Sequence, residues 1–452
     1  MTKKVTNIVV GLGKTGFSCV RYLAAQGADF MVVDTREQPP YLAQLRHQYP
    51  EVQVQLGALN TGVLSDAERL IMSPGVALEQ PAVQAAIASG VGIASDIDLF
   101  CEAINAPIVA ITGSNAKSTV TTLVGLMADK SGLNVAVGGN LGTPVLDLLL
   151  LGGEDALKRQ LYVLELSSFQ LEVSECLNAE VATILNISAD HMDRYLDIDD
   201  YRAAKQRVFN GCSQVVVNAD ESALFLPTPM IEEVWSFSVE GFAQGEQSFT
   251  LQHHDGQGWL MQGNKKLLLA DEVKIKGRHN VSNALAALAL GSAVGLDLVA
   301  MLQTLREFPG LAHRCQWVLA KGNVDYYNDS KGTNVGATVA ALNGLGPDTA
   351  GQIVLIAGGD SKGASFEDLR EPVANYCSQL VLLGKDAQRL QESLLELAPV
   401  SRVATMDEAV NVAAQLAQVG DAVLLSPACA SLDMFANFEV RGEAFVHAVE
   451  AL

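Results

Sequence analysis

Short apolar runs recur along the chain, each followed by a polar or glycine-rich loop and then by apolar residues spaced three and four apart. The runs at 7–10, 30–33, 107–111, 161–165 and 181–186 read as buried strands. So do those at 324–327, 352–356, 380–383 and 422–426. Between them, Val120, Leu123, Val124 and Met127 fall on one helical face, with Gly132 as the stop. A helix is predicted from Phe17 to Gln26 with Gly27 ending it, and an Ala/Leu-rich helix over 282–294. The rhythm breaks once, where Phe249-Thr-Leu-Gln, Asp255-Gly-Gln-Gly258 and Trp259-Leu-Met read as a hairpin and Asn264 marks a further turn.

Strand and helix alternating in this way give an α/β fold with mainly parallel sheets. Three units are expected in series: a Rossmann-like N-terminal domain over 1–98, a central ATPase-type α/β domain with an antiparallel β insert over 99–310, and a C-terminal Rossmann-like α/β domain over 311–452. The first boundary is placed where 96–100 leads into a connecting helix, and the second in the linker 308–314. The length of 452 residues agrees, at about 150 residues per domain.

Composition narrows the setting. With 49% apolar and 18% charged residues the chain can bury large cores. A formal charge of −21 argues against nucleic acid or an anionic membrane as partner. Any anionic substrate then depends on local cations, helix N-termini or metal ions. The seven cysteines are scattered with no C-x-x-C pair, as expected for free thiols in a reducing cytoplasm. The N-terminus leads into a strand rather than a signal core, and no uncharged apolar stretch reaches the roughly 18 residues of a membrane span.

The most informative loop is Gly113-Ser-Asn-Ala-Lys-Ser-Thr119 after the strand 107–111. A strand, a loop carrying Lys117 and Ser118, and a helix make a phosphate cradle. Backbone N–H groups hold phosphates, the lysine neutralises them and the hydroxyl reaches Mg²⁺. One residue departs from the pattern: Ala116 stands where glycine is expected before the lysine. Glu165, at the end of the next strand, is placed to hold Mg²⁺. Ser167 follows on the loop, and His191 comes after the third strand between Asp190 and Asp193. On spacing alone Lys205 reads as an ordinary solvated helix residue, and Asn280 and Asn283 read equally as helix-start residues or nucleotide contacts.

A second glycine turn, Gly11-Leu-Gly13-Lys-Thr-Gly16, precedes the strand that ends in Asp34. This suits a nucleotide crevice, with Ser73-Pro-Gly75 lining it from the next strand. A nicotinamide oxidoreductase built on that turn is the rival reading, but it gives the second loop no purpose. Three polar clusters follow strand ends in the last domain: 328–333, 358–362 and 426–431. Together they suit a small anion. Three α/β units in series suggest three reactants meeting in clefts: ATP converts a carboxylate to an acyl phosphate, and an amine then displaces the phosphate.

These motifs, in this order over nearly the whole chain, resemble the Mur ligase family. The resemblance rests on Gly11-Leu-Gly13, Ser73-Pro-Gly75, the 111–119 loop, Glu165-Leu-Ser-Ser-Phe-Gln-Leu-Glu172, Asp190-His-Met-Asp-Arg194, Tyr201-Arg-Ala-Ala-Lys205, His313-Arg314, Asn328-Asp-Ser-Lys331 and Ser426-Pro-Ala-Cys-Ala-Ser-Leu-Asp433. The last of these, running on to Phe438 and Arg441, favours the branch that adds D-glutamate.

The resemblance implies a cytoplasmic, monomeric, ATP-dependent ligase of peptidoglycan synthesis. It would join D-glutamate to UDP-N-acetylmuramoyl-L-alanine through an acyl phosphate. The alternatives are a sister ligase adding another amino acid, or a low-activity member because of Ala116. The family implies that Lys14, Thr15, Asp34, Thr35 and Arg36 border the uridine, that Ser73 and Gly75 lie near the diphosphate, that Asn140 lies near the muramoyl part, and that Ser167 also binds substrate. ATP would meet Gly113 to Thr119, Asn280, Arg314 and Asp329, with Lys117 on the β- and γ-phosphates. Two Mg²⁺ sites are implied, one on Ser118 and Glu165, the other on His191 and a carbamylated Lys205. Lys331, Thr333, Lys362, Ser431, Leu432 and Phe438 would surround the D-glutamate.

Overall fold

Three separate sheets carry the chain, in a computed structural model that describes residues 6–153, 158–192, 194–224 and 231–452. Asp193, one of the two acids expected beside His191, lies outside the described residues.

The first sheet runs Val54–Leu56, Phe30–Asp34, Asn7–Val10, Arg69–Met72 and Gly92–Ala94, all parallel. Its central strand is buried at every position because helices cover both faces. Val9 packs with Phe17, Val20 and Leu23 on one side, while Ile8 and Val10 pack with Leu64, Val83 and Ala86 on the other. The first helix spans Lys14–Ala25, so it begins inside the glycine turn rather than at Phe17. Close approach allows this: a Cβ on Gly16 would lie 1.8 Å from the Gly11 carbonyl oxygen.

The second sheet has nine strands, in the order Lys265–Leu269, Gln257–Gln262, Ser248–His254, Glu233–Ser238, Gln214–Asn218, Val181–Ile184, Ile108–Thr112, Leu161–Glu165 and Val135–Gly139. It is parallel from Val135–Gly139 as far as Ser248–His254 and antiparallel beyond. The expected hairpin therefore extends the central sheet. Helices Lys117–Lys130 and Arg278–Ala293 share one core, with Val120, Leu123, Val124 and Met127 against Ala284, Leu285 and Leu288. The second of these starts four residues earlier than the pattern suggested, after Gly277, so Asn280 lies inside its first turn and is not its cap.

The third sheet runs Gln316–Lys321, Val324–Asn328, Ala422–Leu425, Ile353–Ala357, Cys377–Leu382 and Val400–Arg402. Only the first pair is antiparallel. Its strand ends place the three polar clusters on one edge.

Contacts between the units set their arrangement. The helix Asp96–Ala103 joins the first sheet to the second, so the division at 98/99 passes through it. Its Phe100 meets Tyr162 edge-on with ring centroids 4.9 Å apart. Arg21 grips Asp147 with two donors, Lys14 Nζ donates to the Gly142 carbonyl at 2.5 Å, and Arg194 donates to the Pro74 carbonyl at 3.2 Å. The third unit meets the second at the phosphate loop. Among the described residues no helix is long and apolar enough to cross a membrane.

Candidate active site

The phosphate loop leaves the fully buried strand Ile108–Thr112 and re-enters helix at Lys117. Ala116 occupies the N-cap position with φ 65° and ψ −6°, the left-handed conformation that glycine adopts without penalty. Side chains hold the loop from the neighbouring strand end. Asn115 N donates to Asn186 Oδ1 at 2.8 Å, and Ser114 Oγ donates to the Ser188 carbonyl at 2.9 Å. Lys117 Nζ donates to the carbonyls of Gly113 and Ser114, both at 2.9 Å. Burial lowers its pKa, against the pull of Glu165 and Asp190. In the helix's first turn, Ser118 Oγ accepts from Arg314 Nη2 at 2.8 Å, so a cation of the third unit already sits on this loop.

Glu165 ends the strand Leu161–Glu165 and is 2% exposed. Its Oε1 accepts from Asn140 Nδ2 at 2.7 Å, while its buried Oε2 has no hydrogen-bond partner. A buried carboxylate oxygen left unpaired beside a phosphate loop fits a cation ligand.

Lys205 is 1% exposed on the helix Ile198–Gln206, not the surface lysine that its spacing suggested. Its Nζ donates to the Gly113 carbonyl at 2.9 Å. Burial, and then the charge of Lys117, push its pKa well below the lysine range. His191 has φ 57° and stands edge-on to Phe169 at 4.8 Å. Among the described residues no three His, Cys, Asp or Glu side chains cluster closely enough to hold a metal. The donors available here are a carboxylate, an imidazole, a hydroxyl and an amine.

Three cavities converge on these residues. One, of about 200 Å³, is lined by Asn115, Ala116, Thr119, Asn280, Asn283, Arg314 and Asp329 and opens onto the phosphate loop. Within it, Asn280 Oδ1 accepts from Asn283 Nδ2 at 3.1 Å. Asp329 is buried, and desolvation raises its carboxyl to about 6 although Ser426 Oγ donates to it at 2.7 Å. A second cavity, of about 360 Å³, lies between the first and second units and is lined by Lys14, Thr15, Pro74, Asn140, Ser167, His191 and Lys205.

The third, of about 220 Å³, joins Ser114 to Ser118, Asn140, Glu165 and His191 to Arg314, Lys331, Thr333 and Lys362. Lys331 Nζ stands 3.8 Å above the Phe438 ring, and burial lowers its pKa to about 8. Ser431 is buried nearby in the sequence from Leu432, which is exposed.

The remaining expected residues border the first sheet and not these cavities. The Asp34 carboxylate accepts from Leu12 N at 2.6 Å and from the backbone and guanidinium of Arg36. Burial alone would raise its pKa, but these donors hold it below the usual range. Ser73 Oγ donates to the Gly11 carbonyl at 3.0 Å, tying the Ser-Pro-Gly turn, with Gly75, to the glycine turn. Thr35 is exposed at the strand end beside them.

Sequence reasoning gave no site role to three residues at the centre. Asp190 lies 3.6 Å from Lys362 and 3.7 Å from His191. Burial works to raise its pKa, yet His191, Lys362 and Lys117 keep it below the carboxylate range. Asn334 bonds to both Asp190 and Asn115. Arg441, 2% exposed, donates to Ser330 Oγ, the Ser330 carbonyl and the Cys429 carbonyl, joining two of the polar clusters. Asp190 and Arg441 stand inside motifs quoted from the sequence, without a role given to them, and no spacing signal marks Asn334. Backbone strain concentrates here as well. Ala116, His191, His313, Cys315, Lys362 and Ala428 all have positive φ, and all lie in or beside these loops.

The geometry defines a three-domain ligase that activates one substrate with ATP, and the chain belongs to the Mur ligase family. It matches the N-terminal domain of MurD-like Mur ligases over residues 5–95, the Mur ligase middle domain over 111–291 and the Mur ligase glutamate ligase domain over 313–429.

Among its relatives is the UDP-N-acetylmuramoylalanine--D-glutamate ligase of Pseudomonas aeruginosa PAO1, 59% identical over 448 residues and covering 98% of both chains. The Pseudomonas putida KT2440 protein of the same name is 57% identical over 446 residues, covering 98% of this chain and 97% of its own. The fold also matches that of the MurF ligase of Thermotoga maritima, solved in complex with ADP, with a TM-score of 0.61, 14% identity, and coverage of 100% of this chain and 95% of that one.

Proposed function

We propose that this protein joins D-glutamate to UDP-N-acetylmuramoyl-L-alanine at the expense of ATP, as a cytoplasmic, monomeric enzyme of peptidoglycan synthesis. The observation that carries the reading is the cavity where Lys117, Glu165 and His191 of the second unit face Arg314, Lys331, Thr333 and Lys362 of the third. An activating loop and an amine-acceptor pocket thus share one space. The full-length relatives named as D-glutamate ligases support this substrate choice, and neither a sister ligase nor a low-activity member is favoured.

In this reading the UDP-sugar lies in the cavity lined by Lys14, Thr15, Asn140 and Ser167, with its carboxylate directed towards Lys117. The adenosine of ATP occupies the cavity of Asn280, Asn283 and Asp329. Lys117 and Arg314 carry positive charge to the transferring phosphoryl group, and the helix N-terminus adds its backbone donors. The carboxylate oxygen attacks the γ-phosphorus and ADP leaves. The amine of D-glutamate, held by Lys331, Lys362 and Thr333, then attacks the acyl carbon and expels phosphate.

Two Mg²⁺ ions, on Ser118 with Glu165 and on His191 with Lys205, would supply charge neutralisation at the phosphoryl group. The unpaired Glu165 Oε2 fits the first site. A free amine does not suit Mg²⁺, so Lys205 fits the second only as a carbamate, which presents oxygen. Burial favours this modification, because it keeps the amine neutral and therefore nucleophilic towards carbon dioxide.

The test is phosphate release from ATP with UDP-N-acetylmuramoyl-L-alanine and a panel of amino acids. D-Glutamate should give turnover that L-alanine and meso-diaminopimelate do not. Equal turnover with either of those would overturn the assignment.

A further inference from the structure

The two substrates that must react are held on different units, so the distance between acyl carbon and amine is a distance between domains. Near-attack geometry requires the reacting atoms at roughly 3–3.5 Å, and a misplacement of about 1 Å costs on the order of a hundredfold in rate. Something must therefore fix the amino-acid loop against the phosphate loop.

Asn334 is built for this. It is 7% exposed and caps the helix Val335–Leu345, with its Oδ1 accepting from Ala337 N at 2.8 Å. That leaves its Nδ2, whose two hydrogens reach across to the second unit. One contact is Asn115 Oδ1 at 3.3 Å, inside the phosphate loop. The other is Asp190 Oδ2, also at 3.3 Å.

Both acceptors are themselves fixed. Asn115 N donates to Asn186 Oδ1, and its Nδ2 donates to Ser188 Oγ at 3.2 Å, so its Oδ1 is turned towards Asn334. Asp190 Oδ1 accepts from the His191 N–H at 2.9 Å and lies 3.6 Å from Lys362 Nζ. The residue before Asn334 is Thr333, which lines the shared cavity with Lys117.

We infer that Asn334 is a positioning residue that sets the D-glutamate loop in register with the phosphate loop, through its amide bridge to Asn115 and Asp190. This rests on the ligase reading above, which wild-type turnover with D-glutamate tests separately. The bridge acts more on amide formation than on the earlier activation of the UDP-substrate, because Lys117 and Glu165 lie on the second unit and Arg314 reaches Ser118 through its own bond, whereas Lys331, Thr333 and Lys362 depend on the placement of the third unit's loop.

Two substitutions separate this role from that of a helix cap. Serine and aspartate both cap helices about as well as asparagine. Asn334→Ser keeps the cap but lacks the reach to Asn115 and Asp190. Asn334→Asp keeps the cap but sets a carboxylate against the Asp190 carboxylate and the Asn115 carbonyl oxygen. Each variant is to be compared with wild type in thermal midpoint, in kcat and KM for D-glutamate, and in acyl-phosphate formation. The last is read without D-glutamate, by trapping the intermediate with borohydride as the alcohol.

For Asn334→Ser we expect kcat/KM for D-glutamate to fall by about tenfold to a hundredfold. Trapped acyl phosphate should stay within about twofold and the thermal midpoint within a few degrees. Asn334→Asp should lose more in the amine step than Asn334→Ser. The inference is overturned if Asn334→Ser keeps wild-type kcat/KM for D-glutamate. Loss of acyl phosphate in proportion to turnover would also overturn it, since that marks a general structural role.

Discussion

Asn140 holds Glu165 at both ends. Its backbone N–H donates to the Glu165 carbonyl at 2.8 Å, and its side-chain Nδ2 donates to Oε1 at 2.7 Å. The preceding Gly139 pairs with Glu165 in the parallel ladder, and a Cβ there would meet the Glu165 carbonyl oxygen at 2.3 Å. The carboxylate is thus aimed with one oxygen tied and the other free. Asn140→Ala should leave Glu165 in place but untied. Turnover should fall by about tenfold to a hundredfold, the Mg²⁺ concentration for half-maximal rate should rise, and the thermal midpoint should move little. Steady-state rates over a Mg²⁺ titration check this, and an unchanged half-saturation would count against it.

Ala116 carries the cost of its φ of 65°. A left-handed residue with a Cβ costs roughly 1–2 kcal/mol, and Ala116 lines both the cavity of Asn280 and Asn283 and the one shared with Lys331. Ala116→Gly should therefore raise stability by about 1 kcal/mol, after allowing for the greater freedom of glycine in the unfolded chain. ATP should bind about as well or up to severalfold more tightly. Chemical denaturation and ATP titration read the two effects separately, and a less stable Ala116→Gly protein would show that the strain argument is wrong.

Lys331 should impose a pH limit on amino-acid capture. Its folded pKa is lowered to about 8, so the free enzyme holds the charged form below that pH and loses it above. The charged form is the one that attracts a carboxylate. Hence kcat/KM for D-glutamate should decline as pH rises through about 8, on a limb that Lys331→Arg moves upward, because an arginine stays protonated. A limb that does not move in Lys331→Arg would assign it to another group.

Lys205 bears on the proposed second cation site. If a carbamate supplies its oxygen ligands, Lys205→Ala should lose most turnover and recover part of it on adding a short-chain carboxylate such as acetate or propionate. Phosphate-release assays across a carboxylate series give the readout. No recovery with any chain length would remove the carbamate from the mechanism and leave the ligase reading untouched.

Much of this arrangement was legible in the chain. The apolar runs gave the strands because buried parallel strands leave continuous apolar stretches, and the two glycine turns stood at their ends. Lys205 was not legible. A lysine on a helix is usually solvated, and only the packing of helix Ile198–Gln206 against the phosphate loop buries this one. Asn334 and Arg441 act across gaps of more than a hundred residues, to Asn115 and to Ser330, and no local pattern encodes such a pairing. Asn280 was misplaced as a cap because the helix gains an extra turn by starting after Gly277, a residue whose φ of 94° ends the preceding loop. Terminal turns follow such backbone details more than side-chain periodicity.

Arg314 on Ser118, Lys362 on Asp190 and Asn334 on Asn115 are each a contact in which one unit completes the polar needs of another. The nucleotide loop is consequently not a self-sufficient module. Cut out at 99–310, the middle segment would keep its sheet and its phosphate cradle but would lose a guanidinium, an ammonium and an amide that now neutralise its rim. Such a fragment is a poor substitute for the whole chain in screening for ATP-competitive compounds, because the surface those compounds meet is assembled from two domains.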